Sequence, residues 1–123
     1  MEKKRILVVD DDKSQVKTLT EILRLEGFDV DSAETGREAI EKYKAQLYDL
    51  VLLDIRLPDM KGTEVLKIID GQPTKTVRII ITGYPTTENT DEAMDMKADA
   101  YLVKPVDPKK LIKTMHEKLN KQQ

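Results

Sequence analysis

Side chains with chemistry of their own stand at the ends of four apolar runs. Ile6-Leu7-Val8-Val9 is followed by Asp10, Asp11 and Asp12, and Leu50-Val51-Leu52-Leu53 by Asp54. Val77-Arg78-Ile79-Ile80-Ile81 ends in the hydroxyl of Thr82, and Tyr101-Leu102-Val103 in the ammonium of Lys104. If these ends share one edge, they make one pocket. Two carboxylates about 4 Å apart repel by about 4 kcal/mol at an effective dielectric of about 20, so the pocket needs cations. Lys104 supplies one positive charge. A hard divalent cation held through oxygen supplies the rest, and Mg²⁺ is the usual choice where phosphate also binds. Such a site suits phosphoryl transfer, because an ionised carboxylate attacks phosphorus without a general base once cationic groups neutralise the transferring oxygens. In this scheme Asp54 is the nucleophile and Asp10 and Asp11 hold the metal. Lys104 pairs with one phosphoryl oxygen, and Thr82 donates a hydrogen bond to another. His116, on the last helix and away from the strand ends, is not required.

The elements around these residues must bring them together. Short apolar, β-branched runs closed by charges read as strands of a parallel sheet buried on both faces. Between the runs the period changes to helical. Val16, Leu19, Ile22 and Leu23 mark a first helix that Asp12 caps and Gly27 stops. Phe28, Val30 and Ser32 alternate with Asp29 and Asp31 as a half-exposed second strand, and Ala39, Ile40 and Tyr43 stripe a second helix. A loop with Pro58 and Gly62 precedes a short third helix at Val65, Leu66, Ile68 and Ile69, and Glu88 to Lys97 form a weakly amphipathic fourth. Asp107 caps a final helix that has Pro108 at its first position and Leu111, Ile112, Met115 and Leu119 on its apolar face. Five strands alternating with five helices predict right-handed crossovers and a doubly wound α/β sandwich. Its expected strand order is the flavodoxin-like 2-1-3-4-5, which gathers strand ends and ligands along one edge.

Composition narrows the function classes. A chain of 123 residues predicts one domain over 1–123. Twenty-one basic against 23 acidic residues, a net charge of -2, give no overall basic field for nucleic acid. The absence of cysteine excludes disulfides, thiolate nucleophiles and cysteine-based metal sites. No apolar stretch has the length of about 20 residues that spanning a bilayer requires, and the expected location is cytoplasmic.

Four segments carry a family likeness: Ile6 to Asp12, Leu52 to Gly62, Ile80 to Tyr84, and Ala98 to Pro105. In order and spacing they resemble the motifs of the receiver domain of two-component response regulators, over essentially the whole chain. The resemblance implies that Asp54 accepts a phosphoryl group from the phosphohistidine of a sensor histidine kinase. It implies that Asp11, Asp54 and the backbone carbonyl of Arg56 contact Mg²⁺, with Asp10 close by. Thr82 and Tyr101 would be a switch pair, and the Lys104–Pro105 bond would be cis. Phosphorylation adds roughly -1.5 to -2 charge and three acceptor oxygens, enough to draw Thr82 toward the phosphoryl group and let Tyr101 turn inward into the space vacated. By the same resemblance the chain is a signalling receiver rather than an enzyme. Its partners would be the kinase and a downstream output protein or domain, with a homodimer through the fourth and fifth helices as a further expectation.

Two other readings compete. Asp10-x-Asp12-x-Ser14 is similar to the nucleophile motif of haloacid-dehalogenase-type phosphatases, which would move the covalent phosphate to Asp10. A receiver-like binding module that is never phosphorylated would have no need of all these site groups.

Overall fold

The computed structural model describes residues 3–70, 75–83 and 98–121. Five strands are described: β1 (Arg5–Val9), β2 (Asp29–Ala33), β3 (Leu50–Asp54), β4 (Val77–Thr82) and β5 (Ala100–Val103). Four helices accompany them: α1 (Lys13–Leu25), α2 (Gly36–Ala45), α3 (Gly62–Asp70) and α4 (Pro108–Lys121). The helix expected over 88–97, and Tyr84, lie outside the described residues. The strands form one parallel sheet in the order β2-β1-β3-β4-β5, the doubly wound arrangement that the alternation predicts.

Strand alternation sorts the core into two layers. Leu7, Val9, Val51, Leu53 and Ile80 face α2 and α3, packing with Ala39, Tyr43, Val65, Leu66 and Ile69. Ile6, Val8, Leu50, Leu52, Ile79 and Ile81 face α1 and α4, packing with Leu19, Leu23, Leu111, Met115 and Leu119. With both faces covered, every residue of β3 is buried, which is why its sequence runs apolar up to its final acid.

Local chemistry sets the boundaries. Asp12 Oδ1 accepts the Gln15 amide at 3.1 Å, and Thr35 Oγ1 accepts the Glu38 amide at 3.0 Å, each capping its helix. Gly27, at φ +96°, turns the chain out of α1 in a left-handed conformation that a side chain would strain. At α4, Asp107 Oδ1 accepts the Lys109 amide at 3.0 Å. One boundary differs from expectation. Gly62, read from sequence as loop, is the first residue of α3, and its amide donates to the Ile55 carbonyl at 2.7 Å. A Cβ at Gly62 would lie 2.5 Å from the Asp54 carbonyl oxygen, so only glycine lets the helix start this close to β3.

Candidate functional site

Asp10, Asp54 and Lys104 continue the alternation of Val8, Leu52 and Leu102, all of which belong to the α1/α4 layer. Their side chains converge just beyond the strand ends. Lys104 Nζ donates to Asp10 Oδ2 at 2.7 Å and to Asp54 Oδ2 at 3.1 Å, so one ammonium spans two carboxylates. The remaining oxygens are engaged by backbone: Asp10 Oδ1 accepts the Asp12 amide at 3.0 Å, and Asp54 Oδ1 the Arg56 amide at 3.1 Å. Asp10 and Asp54 are buried, 4% and 7% exposed, whereas Asp11 is open to solvent.

Burial governs the ionisation of this group. Loss of water pushes the Asp54 carboxyl above its ordinary range, and the Asp10 charge adds to that. The Arg56 amide and the Lys104 ammonium pull the other way without cancelling it. For Lys104, burial works against the charged form, but the hydrogen bonds it donates to Asp10 and Asp54 prevail and the ammonium is held above its ordinary value.

Oxygens of Asp10, Asp11 and Asp54 all lie within 4.8 Å of one another. Among the described residues, three carboxylates facing the Lys104 ammonium leave a negative excess, and an all-oxygen donor set suits a hard divalent cation such as Mg²⁺. Asp12, adjacent in sequence, is not part of this group, because its carboxylate is spent on the α1 cap.

Thr82 and Tyr101 sit on the other face. Thr82 follows Ile80 in alternation and is fully buried, and Tyr101, paired in register with Ile80, packs half-buried against the α2/α3 layer. The Tyr101 hydroxyl is buried and has no hydrogen-bond partner among the described residues. The Thr82 carbonyl accepts the Lys104 amide at 2.8 Å, fixing the strand end from which the ammonium reaches across. Lys104–Pro105 is a cis peptide bond. Gly83 leaves space beside the lysine, since a Cβ there would come no nearer than 3.9 Å to its side chain.

Beyond Asp54 the chain makes a tight return, closed by a bridge between Arg56 and Lys61. Its tip reaches α2. Asp59 Oδ1 accepts the Gly36 amide at 2.8 Å and Asp59 Oδ2 the Arg37 amide at 3.0 Å, and these bonds hold the Asp59 carboxyl below its ordinary range. Nothing local in the sequence signals this contact, because its partners lie 23 and 22 positions upstream. Exposed His116 stands apart from the rim, its ring 5.5 Å from that of Phe28.

Residues 6–116 match the family model described as the response regulator receiver domain. The transcriptional regulatory protein ZraR of Escherichia coli strain K12 is 40% identical over 114 residues, which cover 93% of this chain. The same residues cover 26% of ZraR, so the chain spans about a quarter of that relative's length. A CheY-like receiver domain from Methanospirillum hungatei JF-1 superposes with a TM-score of 0.96 at 40% identity, covering 98% of this chain and 97% of that one. A response regulator from Burkholderia pseudomallei superposes with a TM-score of 0.85 at 25% identity, covering 96% of this chain and 69% of that one. That structure contains a phosphorylated aspartic acid, a calcium ion and citrate.

Proposed function

Because this chain belongs to the response regulator receiver domain family of two-component systems, we propose that Asp54 is its phospho-acceptor. The donor is the phosphohistidine of a sensor histidine kinase. An Asp54 carboxylate oxygen forms a bond to phosphorus as the P–N bond breaks, and the imidazole nitrogen leaves with the electron pair and takes a proton from water.

The observation that carries this reading is the position of Lys104, bonded at once to Asp10 and Asp54. It offsets part of the charge of the buried nucleophile without protonating it and stays in reach of an oxygen on an incoming phosphoryl group. Asp10, Asp11, Asp54 and the Arg56 backbone carbonyl are the groups that hold Mg²⁺. Bound there, the ion supplies further positive charge for the transferring oxygens. Thr82 donates to a phosphoryl oxygen, and its movement frees space for Tyr101 on the same face of the sheet. The output is a reshaped surface around the expected 88–97 helix, β5 and α4, read by a downstream protein or domain. The phosphorylated aspartic acid and the cation of the Burkholderia pseudomallei regulator support the same assignment here.

Intact mass after incubation with acetyl phosphate and Mg²⁺, with the modified residue located by peptide mapping, tests this. One phosphoryl group on Asp54 is expected, with none on Asp54→Asn. A label on Asp10 would support the phosphatase reading, against which stands the use of Asp12 as a helix cap. No Mg²⁺-dependent label would support the unphosphorylated binding module.

A further inference from the structure

The return loop after β3 is held at both ends. At its base, the Gly62 amide donates to the Ile55 carbonyl and the Arg56–Lys61 bridge closes the turn. At its tip, both oxygens of Asp59 accept amides from the first two residues of α2. The tip also has a steric lock. A Cβ at Gly36 would lie 2.4 Å from Met60 Cγ and 2.6 Å from Met60 Sδ, so the Met60 side chain occupies the space that glycine leaves. Thr35 already caps α2 by accepting the Glu38 amide, and Asp59 takes two further amides that α2 cannot satisfy internally. The first turn of α2 is therefore tied to the loop twice, by the Asp59 hydrogen bonds and by the packing of Met60.

We propose that Asp59 is a positioning residue for the metal site: by fastening the loop tip to α2, it sets where the Arg56 carbonyl stands relative to Asp10 and Asp54. This rests on the assignment of that carbonyl to Mg²⁺ above. Asp59 lies three positions beyond Arg56. The base is fixed by the Arg56 amide on Asp54 Oδ1, the Gly62 amide on the Ile55 carbonyl and the Arg56–Lys61 bridge, so a tip held by Met60 alone shifts by pivoting about that base. Groups that orient a metal ligand from outside typically change metal affinity by about 10- to 100-fold, and a loop also held at its base and by Met60 belongs at the low end of that range.

The test is a Mg²⁺ titration of the full chain followed by the amide chemical shifts of Asp54 and Arg56, beside thermal melts in metal-free buffer. Asp59→Ala is expected to weaken Mg²⁺ binding by about tenfold. Asp59→Asn, which keeps one acceptor oxygen, is expected to fall between it and wild type, and it carries the test if Asp59→Ala does not fold. Thr35→Ala removes the α2 cap without touching the loop. It is expected to lower the melting temperature with Mg²⁺ affinity unchanged. Equal Mg²⁺ affinity in wild type and Asp59→Ala, or an equal loss in Asp59→Ala and Thr35→Ala, would overturn the proposal and leave the assignment of the site standing. Absence of Mg²⁺ binding by wild type would remove both.

Discussion

The two halves of the strand rim are built differently. On the β1–β3 half, each carboxylate oxygen of Asp10 and Asp54 has a partner, and the loop beyond is fastened to α2 through Asp59. On the β4–β5 half, no residue of β5 is fully buried, Val103 is 47% exposed, and the Tyr101 hydroxyl is buried with no partner among the described residues. The first half has one well-determined arrangement and the second is under-determined. On the proposed reading, a site that holds reacting atoms in place and a surface that changes place call for opposite kinds of construction, and this sheet would put them side by side.

The largest expected effect comes from removing the ammonium that spans the two buried carboxylates of the ordered half. Lys104→Ala leaves two buried carboxylates facing each other. With the lysine side chain 21% exposed, we expect a loss at the low end of that for breaking a buried pair, about 3 kcal/mol, or a melting temperature lower by roughly 10 °C. Millimolar Mg²⁺ should recover part of it, because a cation bound to the native state restores the missing charge. A melt unchanged by the substitution would mean that the lysine compensates nothing.

Asp54→Asn should act in the opposite direction, by on the order of 1 kcal/mol, or about 4 °C. The folded protein holds the Asp54 proton more tightly than the unfolded chain does. Ionisation therefore weakens the fold as pH rises from 3.8 through the higher folded value. In metal-free buffer the variant should exceed wild type at neutral pH, and the gap should close as pH falls below that window. Lys104 governs the alkaline side. Its stabilisation is complete below 10.5 and is lost as pH climbs through its raised folded value.

The smallest effect sharpens the contrast from the loose half. Tyr101→Phe removes a hydroxyl that is buried without return, so stability should stay level or rise, by up to about 1 kcal/mol, read as an unchanged or higher melting temperature. A clear fall would show that the hydroxyl is held, and the two halves would then be alike.

Much of this was legible in order along the chain. The runs Ile6 to Val9 and Leu50 to Leu53 are apolar throughout because both sheet faces are covered, and that pattern marks buried parallel strands without reference to their neighbours. The acids and the lysine closing such runs had to meet at one edge, and Asp10, Asp54 and Lys104 do. Asp12 and Asp107 read as caps because their partners lie within three residues of them. Asp59 did not, since a carboxylate that caps a helix two elements upstream looks in sequence like any solvated loop acid. Gly62 likewise stood inside a turn-forming stretch, and only the closeness of the Asp54 carbonyl shows why the helix begins there.

The ammonium that joins Asp10 to Asp54 comes from 94 positions beyond the first of them. At ribosomal speeds of about 5–20 residues per second, a nascent chain exposes β1 and β3 for several seconds before Lys104 exists to quench their acids. Until the fifth strand is laid down, the rim is an uncompensated anionic scar. If Asp54 is the phospho-acceptor proposed above, its competence arrives late in synthesis, with the closing of the sheet.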